Sequence, residues 1–169
     1  MLIVVFGLPG TGKTTFGKLL AHRLKGIHLN SDVIRTFMGL RGNYDPASKA
    51  RVYEALLRET ENQLMHERTV VLDASFYRTA LRGEVTELAA HLAKPLYWIE
   101  LQAREDSIKK RVSRPRPDSE ADFSVYQRLQ AQFEPMTEDH LILWSDRQPM
   151  EEMLEAACRY IGKSQNYLE

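Results

Sequence analysis

Apolar and polar positions follow two rhythms along this chain. Leu2-Ile3-Val4-Val5-Phe6 is an unbroken apolar run, rich in β-branched residues and ended by Gly7, as a strand buried on both faces would be. Phe16, Leu19, Leu20 and Leu24 then recur at helical spacing, and Gly26 is placed to close that helix. Residues 26–30 read as a short second strand. Asp45 before Pro46 supplies a cap and a first-turn proline, which predicts a long helix with Tyr53, Leu56, Leu57 and Leu64 inward. Residues 69–73 form a third apolar strand, ending in Asp73. Leu81, Val85, Leu88 and Leu92 mark another amphipathic helix.

Residues 96–101 make a fourth strand and 141–144 a fifth. Between them, Ser119-Glu120-Ala121-Asp122 has the form of a capping box and predicts a helix with Phe123, Tyr126, Leu129 and Phe133 inward. Met150, Met153, Leu154, Ala157, Cys158 and Ile161 draw an apolar stripe on a last helix. Strand and helix alternate without repeats or low-complexity linkers. Such alternation predicts an α/β fold in three layers: a five-stranded parallel sheet with helices on both faces. Ligands then lie beyond the carboxyl ends of the strands, where Gly7, Asp32, Asp73 and Asp146 gather.

Composition narrows the picture. At 169 residues, 43% hydrophobic and 27% charged, the chain reads as one domain spanning 1–169. Lys plus Arg and Asp plus Glu are both 23, which argues against a general nucleic-acid coat or a membrane-surface binder but leaves room for a local basic groove. The lone Cys158 makes no internal disulfide and suits a reducing cytoplasm. No apolar run approaches the roughly 18 residues of a membrane span, and the N-terminal one falls short of a signal peptide's core. The expectation is a cytoplasmic protein, with no membrane association and no obligate protein partner evident.

The chemistry starts at Gly7-Leu8-Pro9-Gly10-Thr11-Gly12-Lys13-Thr14, a full match to the P-loop pattern between a buried strand and an amphipathic helix. Its glycines let backbone N–H groups converge on phosphate, and the following helix adds its positive end. Gly7, Pro9, Gly10, Thr11, Gly12, Lys13, Thr14 and Thr15 are the expected nucleotide-binding residues. Lys13 reaches the β- and γ-phosphates, and Thr14 is placed to ligate Mg²⁺. ATP and Mg²⁺ are the implied cofactors.

Asp32 follows the second strand. It fits two roles: cap of the next helix, shared with Ser31, or base toward an acceptor hydroxyl near the γ-phosphate. Arg35, one turn on, can clamp an anionic acceptor group. Asp73 has the form of a Walker B carboxylate, for Mg²⁺ or the acceptor. Arg78 and Arg82 follow it, and one of them is a candidate for the acceptor pocket. Residues 104–120 carry Arg111, Arg114 and Arg116 with Pro115 and Pro117, which suits a lid that closes arginines over triphosphate. The alternative there is a solvated charged loop.

Together GLPGTGKTT, LNSDVIR, VVLDASFYR, the arginine segment and SEADFSVYQRLQAQFEP resemble the P-loop kinases related to the kinase domain of bacteriophage polynucleotide kinase. The zeta-toxin, gluconate kinase and chloramphenicol phosphotransferase families are more distant relatives. The resemblance spans nearly the whole chain. It implies a P-loop kinase-type fold and an ATP- and Mg²⁺-dependent transfer of phosphate to a hydroxyl, first a nucleic-acid 5′-hydroxyl, second a small metabolite. On the resemblance Asp32 is the base, Arg35 contacts the phosphate beside the acceptor nucleotide, Arg114 or Arg111 is the lid arginine, and adenine lies near residues 145–149. A nucleotide-dependent switch without transfer is the rival class. AAA+ remodelling ATPases share the P-loop, but this chain has no room for their helical lid domain. The five histidines show no metal spacing, Trp98 and Trp144 read as core, and Tyr44 is a candidate to stack on a base.

Overall fold

The computed structural model describes residues 1–113 and 122–165, with side chains to 162. The strands are β1 (Leu2–Phe6), β2 (Ile27–Asn30), β3 (Val70–Asp73), β4 (Leu96–Gln102) and β5 (Leu141–Trp144). The helices are α1 (Lys13–Arg23), α2 (Ser31–Phe37), α3 (Pro46–Met65), α4 (Thr79–His91), α5 (Glu105–Val112), α6 (Phe123–Ala131) and α7 (Met150–Gln165). All strand pairings are parallel, in the order β2-β3-β1-β4-β5. β1 therefore lies at the centre, which is why all five of its residues are apolar and fully buried.

Two cores follow from the alternation of side chains on the sheet. Ile3, Val5, Val71 and Ile99 face Phe16 and Leu20 of α1 and Met153, Leu154 and Ile161 of α7. Leu2, Val4, Leu72 and Trp98 face Leu56 and Leu64 of α3 and Val85 of α4. Each fully buried Leu or Phe contributes about 1.5–3 kcal/mol relative to exposure. Trp98 is core as the pattern predicts. Trp144, at the edge, is only half-buried, and its ring carries Arg147 at 4.1 Å.

Element ends show where local rules were overruled. α1 closes through Lys25, which takes the left-handed turn at φ 51, and not through Gly26. Gly26 is required for space, since a Cβ there would meet the Thr69 carbonyl oxygen at 2.7 Å. The long helix begins as predicted, with Asp45 accepting from the Ser48 N–H at 3.0 Å. α6 is capped by Asp122, which accepts from the Val125 N–H at 3.0 Å. The predicted capping box loses its first three members to the span 114–121, outside the described residues, as are Arg114 and Arg116.

Candidate active site

The P-loop joins β1 to α1, and its first glycine packs against β4. Gly7 (φ 136) has no room for a side chain, because a Cβ would lie 2.3 Å from the Leu101 carbonyl oxygen. Thr11 is buried and donates to the Leu8 carbonyl at 2.9 Å, and Lys13 Nζ donates to the same oxygen at 3.0 Å. The loop is thus tied from within. Gly7 and Thr11 shape it from beneath, while Pro9, Gly10, Gly12, Lys13, Thr14 and Thr15 line a cavity of about 370 Å³.

Asp73 forms the cavity floor. Its Oδ2 accepts from Asn30 Nδ2 at 2.6 Å, Thr14 Oγ1 at 2.8 Å and His28 Nε2 at 3.2 Å. Its Oδ1 is buried without a hydrogen-bond partner. Burial works to raise the Asp73 pKa, but the bond from His28, the charge of Lys13 and the Asn30 amide outweigh it and hold it below the usual carboxylate range. An ionised, orphaned carboxylate oxygen beside a threonine hydroxyl suits a hard cation. Among the described residues no group of three His, Cys, Asp or Glu side chains could cage a metal. Thr14 and Asp73 would therefore share Mg²⁺ with phosphate and water oxygens, as that ion prefers.

Asp32 also lines the cavity. The cap role open to it on sequence belongs to Asn30, whose Oδ1 accepts from the Asp32 and Val33 N–H groups at 2.9 and 3.0 Å. Asn30 thus starts α2 with one end of its amide and holds Asp73 with the other. Arg35, 6% exposed, lines the cavity, stacks 4.5 Å over the Tyr44 ring and donates to the Asn43 carbonyl.

The remaining wall was not visible in the sequence as site residues. Lys49 and Tyr53 come from α3, Ser75 and Tyr77 from the segment after β3, and Val125, Arg128 and Leu129 from α6. The Tyr53 hydroxyl lies 3.3 Å from Ser75 Oγ, and burial pushes its pKa up to about 12. Periodicity placed Tyr53 and Leu129 on buried faces, but the functional signal lies in which faces meet.

Two of the proposed arginines go elsewhere. Arg78 is exposed, off the cavity lining, near Gln132 and 5.4 Å from the Tyr77 ring. Arg82 is buried and donates to the carbonyls of Phe76 and Glu134 at 2.9 and 2.8 Å, which makes it a structural clamp. Arg111 does not line the cavity either. It donates to the Gly10 carbonyl at 3.1 Å and to Ser145 Oγ at 2.8 Å, bridging the P-loop to the turn after β5.

A family model described as an AAA domain matches residues 2–136. Solved structures of similar shape include a gluconokinase from Sinorhizobium meliloti, 16% identical, covering 99% of this chain and 96% of that one at a TM-score of 0.74. A sugar kinase from Janibacter sp. is 20% identical over 95% of this chain and 94% of that one, with a TM-score of 0.72. The Mycobacterium tuberculosis APS kinase CysC, solved with AMPPNP and APS, is 15% identical over 95% and 96% at 0.73. The fold is that of the P-loop kinases. Among the described residues no helix is long and apolar enough to cross a membrane.

Proposed function

We propose that this chain, which belongs to the AAA domain family, is an ATP-dependent phosphotransferase acting in the cytoplasm as one catalytic domain, with a small-molecule hydroxyl as acceptor. The observation that carries the reading is that one cavity joins Lys13 and Thr14 of the P-loop to the Asp32 carboxylate. In this reading Lys13 and the loop N–H groups hold the β- and γ-phosphates, with Thr14 and Asp73 as ligands of Mg²⁺. Bound Mg²⁺ supplies positive charge to the phosphate oxygens. The acceptor oxygen attacks the γ-phosphorus, the bond to the β–γ bridging oxygen breaks, and ADP leaves. Asp32 takes the acceptor proton as the new bond forms. Arg114 is the lid arginine of this proposal, and Arg111 steadies the ATP-binding loop from behind.

The bounded cavity and the fold shared with gluconate and sugar kinases support a small acceptor. A nucleic-acid 5′-hydroxyl, in a polynucleotide kinase-like enzyme, is the second reading. It is favoured by Asp32 and Arg35 lining one cavity in D-x-x-R spacing. Against it, one face of Tyr44, the candidate base-stacking ring, already carries Arg35.

Transfer from γ-labelled ATP with Mg²⁺ to sugars, sugar acids, hydroxy acids and 5′-hydroxyl oligonucleotides decides between them. We expect label on a small hydroxyl, reduced about a hundredfold or more in Asp32→Ala while ATP still binds. Label confined to oligonucleotide ends would establish the second reading. ATP bound with no acceptor labelled would sink both and leave the nucleotide-dependent switch.

A further inference from the structure

The cavity that the P-loop lines also carries positive charge that the transfer chemistry does not use. Lys49 of α3 and Arg128 of α6 both line it. Among the described residues, neither side-chain cation closes a salt bridge or donates a hydrogen bond. The Lys49 ammonium sits 6.0 Å from the centre of the Tyr77 ring. Burial lowers its pKa, and the charges of Arg128, Arg35 and Arg78 lower it further. Asp122 lies close enough to Arg128 to feel its charge, and Asp32 and Asp73 are the carboxylates that share the cavity lining with Lys49. Arg35 is 6% exposed and its Nε is buried without a partner.

Like charges gathered in a partly desolvated pocket repel one another, and a bound anion relieves that repulsion. Guanidinium and ammonium groups together suit an oxyanion, since each N–H makes a charge-assisted bond to oxygen. Tyr53, Tyr77, Val125 and Leu129 add apolar lining to the same cavity, which suits a short carbon skeleton.

We infer that Lys49 and Arg128, with Arg35 beside them, form an oxyanion subsite, and that the acceptor is a small hydroxy compound bearing a carboxylate or a phosphate monoester. The word acceptor rests on the phosphotransferase reading; the subsite does not. In use, the anion docks at Lys49 and Arg128 and the hydroxyl extends toward Asp32. Charge at the far end of the acceptor then selects substrates, and neutral polyols of the same skeleton react poorly.

Calorimetry on the full chain tests the subsite without turnover. With the P-loop filled by Mg²⁺ and a non-hydrolysable ATP analogue, inorganic phosphate and acetate are titrated separately. The one that binds more tightly identifies the anion as phosphate or carboxylate. Lys49→Met and Arg128→Met should each weaken that binding about tenfold, the weight of one charge-assisted hydrogen bond. Lys49→Arg should restore most of it, and melting temperature is the control for folding. No anion binding in the wild type, or binding as tight as wild type in both Met variants, overturns the subsite even if the chain proves to be a kinase. The kinetic arm compares glucose with gluconate and ribose with ribose 5-phosphate. Lys49→Met should raise KM about tenfold for the charged member of a pair and leave the neutral member unchanged. Absence of transfer to every acceptor would sink the phosphotransferase reading while the calorimetry still stood. A 5′-hydroxyl dinucleotide that binds more tightly than phosphate and is lost in the same variants would overturn the small-acceptor assignment.

Discussion

Asp73, at the end of β3, and Asp146, two residues beyond β5, are alike in almost every local respect. Each has a shielded side chain, each places three donors on Oδ2 and each leaves Oδ1 buried without a hydrogen-bond partner. Each is also held ionised. For Asp146, burial works to raise the pKa, and the side-chain and backbone bonds from Arg104 with that from Ser107 bring it down to about 2. The difference is what compensates the charge. Asp146 pairs with Arg104 Nε at 2.9 Å and holds the first turn of α5, and it does not line the cavity. Asp73 lines the cavity, and its Oδ2 is held by a hydroxyl, an amide and an imidazole, with Lys13 as the neighbouring cation. An orphaned carboxylate oxygen is therefore not by itself a metal site. It becomes a candidate when its negative charge faces a cavity and no arginine is bonded to it.

Substitution by the neutral isostere separates the two. Asp73→Asn keeps the shape and removes the charge, so phosphotransfer should fall about a hundredfold or more, with the requirement for Mg²⁺ moved to higher concentration. Steady-state rates over a magnesium series would show it. Unchanged turnover would mean that Asp73 is as structural as Asp146. Asp146→Asn should act on stability instead, costing roughly 1–3 kcal/mol in urea unfolding at neutral pH. Its pH dependence has a definite sign. The pKa is lowered from 3.8 to about 2, so this stabilisation is full above about pH 4 and is lost as pH falls toward 2. Wild type and variant should therefore differ at pH 7 and converge in acid.

The same contrast explains what the sequence could and could not reveal. Strands, helices and the P-loop rest on local rules: period, turn residues and one fixed motif. All five strands, their parallel arrangement and the cavity positions of Lys13, Thr14, Asp32, Arg35 and Asp73 were legible that way. Asn30 and His28 were not, because their role depends on the register of β2 against β3, which sets Asn30 opposite Asp73. Lys49, Tyr77 and Arg128 come from segments far apart in the chain. No spacing rule could have joined them. Arg78 and Arg82 lie off the cavity for the opposite reason: an arginine after β3 satisfies the local pattern equally well at the surface, as Arg78 does, or as a clamp on the 134–135 backbone, as Arg82 does.

Arg111 offers the smallest effect and a finer test of the comparison, because it is pinned to the same turn as Asp146 but also touches the P-loop. Its Nη1 bonds the Gly10 carbonyl and Ser145 Oγ, and its Nη2 reaches the Ser145 carbonyl at 3.1 Å. Ile108 and Val112, on the same helix, lie where a Cβ on Gly10 would meet them at 2.9 Å. α5 is therefore seated on the loop by packing as well as by hydrogen bonds, and losing the guanidinium leaves the packing in place. Arg111→Met should raise the KM for ATP about threefold, with a small loss of stability and kcat nearly unchanged. That result would class Arg111 with Asp146, as a residue that holds the loop from behind. A fall in kcat at constant ATP affinity would class it with Asp73, because it would mean that the guanidinium leaves Ser145 and meets the transferring phosphoryl group when both substrates are bound.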